Sequence, residues 1–252
     1  MAIIRTVDRS DASLTNSFGL RSTGVIRPWG SAPAYKASGA NTAGVGTATV
    51  SWPSGTCKGD LGILVVESSG GDAAASLSGW SHFAGSPVVD VADATGSKLS
   101  VLWRFADSDS PANQTLPDPG DHQIVRLLTF TGVSRTRPSR ITATDTKTTA
   151  STSVTWPSLV TPSPNCLVLY VASRPDDSSL TTVFSSFANS SLTSVTEIGE
   201  SGSTQGDGGG IVMGYGIKAV QSSVGNATAT MSVSVTNALF VAALEPDMSL
   251  PA

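Results

Sequence analysis

Charge is scarce in this 252-residue chain: Asp, Glu, Lys and Arg together make up 13% of it, and aromatic residues 6%. Disorder requires high net charge and little apolar content. Here the net charge is -4 and 39% of residues are hydrophobic, with a mean hydropathy of +0.09. Long apolar runs are also missing. Runs such as Leu61–Val66 and Leu167–Ala172 are far short of the ~20 residues of a membrane helix. No segment sustains an apolar period of 3.6, and Lys, Glu and Leu are few, which excludes a helical bundle. Cys57 and Cys166 are the only cysteines, and His82 and His122 the only histidines. That inventory excludes a disulfide scaffold and gives no zinc-ligand spacing. No Lys/Arg run exists, so the phosphate-neutralising patch of a nucleic-acid binder is absent. The densest basic stretch, Arg135, Arg137, Arg140 and Lys147, reads as a solvated face. The first residues, Met-Ala-Ile-Ile-Arg-Thr-Val-Asp, lack the apolar core of a signal peptide, so synthesis in a cytoplasm is expected.

What is present is turn-forming and β-forming. There are 25 glycines and 14 prolines, and about a quarter of the chain is Ser or Thr. From residue 36 the texture is short β-rich runs separated by turn clusters. Strands are predicted over 47–52, 61–66, 88–91, 98–105, 123–130, 141–147, 153–156, 167–172, 195–198, 211–218, 227–235 and 239–244. About a dozen strands at this spacing define an all-β sandwich or barrel. Residues 1–35 show neither period and read as a non-regular N-terminal arm, ordered against something else. Residues 247–252 form a short tail.

The chain also echoes itself. Thr49-Val50-Ser51-Trp52-Pro53-Ser54 precedes the run at 61–66, and Ser153-Val154-Thr155-Trp156-Pro157-Ser158 precedes the run at 167–172. Each half continues with a short strand, a longer one and a closing apolar strand. Neither half has enough strands to close alone. The expectation is therefore one jelly-roll-like sandwich over 36–246, built from two related halves packed face to face. Trp52 and Trp156 should each end an edge strand at the following proline, cover the core, and send the indole N–H to a loop carbonyl.

Catalytic constellations are not evident. Gly79-Trp80-Ser81-His82-Phe83 starts like a nucleophile elbow and fails at its fifth position. The candidate acids, Asp90, Asp93, Asp107, Asp109, Asp118, Asp121, Asp176, Asp177, Glu197, Glu200 and Asp207, mostly neighbour Gly, Ser or Pro as turn acids do; the glutamates are Glu67, Glu197, Glu200 and Glu245, and no pair stands out for glycoside chemistry. Asp107-Ser108-Asp109 lacks the Gly and the closing Glu of a calcium loop. The stretch Gln205–Gly210 opens a strand rather than a helix, so it is no phosphate cradle. No enzyme activity, cofactor or metal is assigned.

Several segments together resemble a loose family of bacteriophage and prophage virion proteins with a jelly-roll body. They are Trp-Pro-Ser-Gly-Thr-x-x-Gly-Asp-Leu-x-Ile-Leu-Val (52–65), Ser-Gly-Trp (78–80), Leu-x-Val-Leu-Trp-Arg-Phe-Ala (99–106), Thr-Phe-Thr-Gly-Val (129–133) and Ala-Ala-Leu-Glu-Pro (242–246). The resemblance covers most of 36–246. It implies a non-enzymatic virion component: a capsid decoration (cement) protein, or alternatively a head-fibre or tail-fibre module that meets a host receptor or glycan. It further implies a homotrimer, with the major capsid protein or another virion protein as partner, and no membrane.

The charge pattern fits a docking arm. Residues 1–35 carry +2, from Arg5, Arg9, Arg21 and Arg27 against Asp8 and Asp11, and the rest of the chain carries -6. A basic arm on an acidic body suits an acidic partner. Arg5, Arg9, Arg21, Arg27 and Trp29 are the expected particle-docking residues.

Overall fold

The two apolar runs become central strands covered on both faces. The computed structural model describes residues 18–20, 26–28 and 30–248. Leu61–Ser69 and Cys166–Arg174 are buried at every position, so both read as continuous rather than alternating hydrophobic sequence. Around them the described chain is all β, without a helix.

The first half supplies β3 (Ala34–Ser38), β4 (Thr42–Gly44), β5 (Ala48–Val50), β6 (Leu61–Ser69), β7 (Ser81–His82), β8 (Val88–Val89), β9 (Ser97–Phe105), β10 (Gln114–Leu116) and β11 (Gln123–Thr131). Its main sheet runs β3-β11-β6-β9-β7, with β4 on β11 and β8 on β9. The second half supplies β12 (Thr142–Trp156), β13 (Cys166–Arg174), β14 (Phe184–Ala188), β15 (Thr193–Ser203), β16 (Gly209–Lys218) and β17 (Ala227–Leu244). Its sheet runs β12-β17-β13-β16-β15, with β14 on β17. All pairings are antiparallel. Counting only the strands on each path, the order is the same in both halves: first, last, second, fourth and third in the chain. The repeat in the sequence is thus a repeat of topology.

The two sheets pack face to face. Leu61, Ile63, Val65, Leu99, Val101, Ile124 and Leu128 of one meet Leu167, Leu169, Val171, Ile211, Met213 and Phe240 of the other. Each sheet also has a covered outer face. In the first half, Leu64, Val66, Leu102 and Leu127 lie under Ala48, Val50, Leu116, Trp52 and Trp80. There β5 pairs with β10, Val50 opposite Gln114. In the second half, Val168, Tyr170, Val212 and Val241 lie under Val154, Trp156, Ala227, Ala229 and Phe184. The far part of β12 pairs there with the start of β17, Val154 opposite Ala229. Val50 and Val154, the residues two before each Trp, therefore do the same job.

The structure corrects several expectations. The described strands number seventeen: β12 and β17 are each one long strand where two are predicted, but short strands such as β4, β7 and β10, which carry no pattern of their own, more than make up the difference. The segment 1–35 is not wholly irregular: β1 (Phe18–Leu20) and β2 (Ile26–Pro28) pair as an antiparallel hairpin, and β3 already belongs to the sheet. Trp156 sends its indole N–H to Val171 O at 2.8 Å, a strand carbonyl rather than a loop one. The Trp52 N–H has no partner among the described residues.

Candidate functional site

The sandwich has two unlike ends. At one end the chain from the N-terminal segment enters the body. Gly30 lies so close to the Asp247 carbonyl that a Cβ there would overlap it, and Gly30 O accepts from Asn165 Nδ2 at 3.1 Å. Asp247 N–H donates to Gly132 O at 2.8 Å, and Val133 bridges to Pro246. Beside this junction is a pocket of about 230 Å³, lined by Lys36, Cys57, Lys58, Gly59, Asp60, Thr131, Gly132, Val133, Arg135 and Asp247. Asp60 organises one wall, accepting from Lys36 Nζ at 2.7 Å and from the Cys57 backbone N–H at 2.7 Å. The Asp60 hydrogen bond holds the Lys36 ammonium above its ordinary value. Arg135 lies across Gly59, whose φ is +92 and where a Cβ would overlap the guanidinium.

The remaining charges at this end are matched unevenly. Arg104 pairs with Asp107, Arg140 holds Glu245 through Nε and Nη2, and Asp109 accepts the Lys58 backbone N–H at 2.7 Å. The side chains of Lys58, Arg135 and Arg137 form no ion pair among the described residues. Nearby, the paired loops around Thr161 and Ser222 expose Val160 (58%) and Val220 (56%).

The opposite end is acidic, carrying Glu67, Asp72, Asp90, Asp93, Asp118, Asp121, Asp176, Asp177, Glu200 and Asp207 against Lys98, Arg174 and His122. Part of this set is a polar layer sealed between the sheets. His122 Nε2 lies 3.1 Å from Glu67 Oε2, and His122 Nδ1 lies 2.8 Å from Asp121 Oδ2. Asp121 Oδ2 also accepts the Asp207 N–H at 2.6 Å, which ties the first half to the β15–β16 loop of the second. Gly209 faces the Glu67 carboxylate so closely that no Cβ fits. Ser97 and Ser173 share a hydroxyl contact across the sheets, and Arg174 pairs with Asp176. Burial pushes Glu67 up to about 7, opposed by His122. Burial disfavours the His122 imidazolium, but Glu67 and then Asp121 outweigh it and raise His122 to about 9. The Asp207 N–H, followed by His122, holds Asp121 below its usual range. Glu67 and His122 are 0% and 1% exposed, while the Asp121 side chain is partly open to solvent, and through Asp121 and the Asp207 N–H the arrangement links the two halves.

The other residues raised by the sequence are dispersed. His82 accepts from or donates to Ser86 at Nδ1 and donates from Nε2 to Ala75 O at 2.9 Å, leaving Ser81 outside its reach of partners. Among the described residues no group of three or more His, Cys, Asp or Glu side chains is arranged to hold a metal. Arg5, Arg9, Arg21 and Trp29 lie outside the described residues, and Arg27 falls in β2. Within the basic stretch, Arg140 and Lys147 are paired with Glu245 and Asp145, while Arg135 enters the pocket. The sequence pattern missed that role because Gly59 and Arg135 are remote in the chain. Comparison with protein-family models, with curated proteins and with solved structures returned no match.

Proposed function

We propose that this protein is a non-enzymatic structural component of a bacteriophage particle, a capsid decoration protein that docks through its N-terminal segment and the end of the sandwich where that segment joins. One observation carries the reading: the β1–β2 hairpin belongs to neither sheet of the body. An isolated two-stranded hairpin is marginal in water, so an element of this kind gains stability from a surface it packs on. The junction supports the same orientation, since the cations Lys58 and Arg135 line the pocket beside it and Val160 and Val220 are exposed. The body supplies rigidity, with both faces of each central strand buried. The proposed assembly is a homotrimer with a jelly-roll-like body, bound to the major capsid protein.

A fibre-tip reading is favoured by one feature, the acidic end opposite the junction, where the Asp121 and Asp207 loops are joined and would face outward. Gold-labelled antibody against residues 36–246, applied to purified particles, separates the readings. Label over the head shell is the expected result, and label confined to the tail selects the fibre. No label on any particle overturns the virion assignment. Removing residues 2–29 should abolish particle binding while leaving the β-sheet circular dichroism unchanged; retained binding overturns the docking arm.

A further inference from the structure

We propose that the pocket at the root of the N-terminal segment receives a carboxylate side chain from an acidic segment of the protein on which this chain docks, with Arg135 and Lys58 as its recognition groups. The proposal rests on the docking reading above and names the partner's chemistry. Arg135 is placed for the task. Its guanidinium lies against Gly59, a position that any side chain at 59 would deny it. Its one hydrogen bond among the described residues, from Nη2 to Lys58 O, is 3.5 Å long, at the weak limit for such a bond. The planar fork is therefore left to a ligand, and a guanidinium fork takes a carboxylate through two parallel hydrogen bonds. Lys58 stands beside it on the pocket wall with its ammonium unpaired among the described residues. The resident acid, Asp60, is already satisfied by Lys36 and the Cys57 N–H.

The pocket favours a carboxylate over a nucleic-acid backbone. Its volume of about 230 Å³ is on the scale of a side chain, and Asp60 and Asp247 form part of its wall. A phosphate backbone needs a track of cations, and these acids interrupt any such track. Asp247 also lines the pocket while its backbone packs on Gly30. Gly30, where the N-terminal segment joins the body, therefore adjoins the pocket.

Cys57 provides the readout, because it lines the pocket and is exposed, whereas Cys166 is buried. The full chain is mixed with a hexaglutamate peptide, and the rate of Cys57 alkylation by iodoacetamide is followed by mass spectrometry. The expected result is a slowing of about tenfold at saturating peptide. Arg135→Ala and Lys58→Ala should each abolish the protection, while Lys218→Ala, a cation at the same end outside the pocket, should keep it. Unchanged alkylation overturns the proposal. So does equal loss of protection in Lys218→Ala, which signifies diffuse charge attraction, or stronger protection by a single-stranded DNA oligomer, which signifies a nucleic-acid site. The assay contains no particles, so it can fail while particle labelling succeeds, or succeed while labelling fails.

Discussion

His122 and Glu67 meet at 3.1 Å with neither side chain reaching solvent, at one end of the antiparallel β6–β11 pair, Glu67 near the end of β6 and His122 just before β11. Their position sets a pH dependence. His122 is raised from 6.5 to about 9, so the folded chain holds this proton more tightly than the unfolded one. Its contribution is complete below about 6.5 and disappears as pH rises through about 9. Glu67, raised from 4.5 to about 7, acts in the same direction over a lower window. Unfolding free energy should therefore fall between pH 6.5 and 9, by roughly 2–3 kcal/mol. Urea titrations across that range check it. The double variant Glu67→Gln/His122→Gln removes both titrating groups and should be nearly flat; a full decline in the variant assigns the effect elsewhere. Removing one partner alone, as in Glu67→Ala, leaves the imidazolium without its buried carboxylate and with only the part-exposed Asp121 as partner, and should cost roughly 3 kcal/mol.

Trp52 lies on the bare backbone of Gly62, where a Cβ would overlap the far edge of its indole. Its ring also meets Trp80 at a centroid distance of 5.6 Å. Gly62 sits in β6 between β11 and β9, so the backbone cannot retreat. Gly62→Ala should therefore displace Trp52, at a cost of roughly 1–3 kcal/mol. The change should appear as a lower urea midpoint and an altered tryptophan emission. An unchanged midpoint means the outer layer is looser than its packing implies.

The matching pair in the second half separates packing from hydrogen bonding. Trp156 is 1% exposed, sits edge-on to Tyr170 and Phe187, and donates to Val171 O. Trp156→Phe keeps an aromatic ring but loses the donor, for an expected cost of roughly 1–3 kcal/mol. Trp156→Ala removes the ring as well and should cost roughly 3–5 kcal/mol. Equal losses in both variants would show that the hydrogen bond, rather than the ring, carries the site.

How much of this was legible follows from where each signal lives. The repeat was readable because Val50 and Val154, and Trp52 and Trp156, perform one packing task twice, and a packing task leaves residue types behind. The central strands were readable because burial on both faces demands unbroken apolar sequence. The interruptions predicted in β12 and β17 reflect polar stretches, Thr148–Ser153 and Val235–Asn237, that cross from one covered region to another without ending the ladder, although β12 shifts register between Lys147 and Ser153. β10 was hidden inside a proline-rich loop because only its pairing with β5 makes it a strand. The polar layer was not readable at all. Glu67, His122, Asp121 and Gly209 come from separate segments, and singly each looks like a turn residue or a stray acid. Arg135 reads as solvated in the sequence for the same reason, since Gly59 gives it a place only through the fold.

Gly59 and Arg135 allow a last separation of two effects. Gly59 has φ +92, and a Cβ there would overlap the Arg135 guanidinium. Gly59→Ala should therefore lose stability twice, through the left-handed backbone, roughly 1–2 kcal/mol, and through displacement of Arg135. In an Arg135→Ala background the displaced group is gone and only the backbone cost remains. Urea unfolding of the two single variants and the double variant measures the difference as a coupling energy. The expected sign is a smaller penalty for Gly59→Ala when Arg135 is absent. Additive penalties would mean that the guanidinium moves aside freely, in which case the wall it forms at the pocket is not fixed by Gly59.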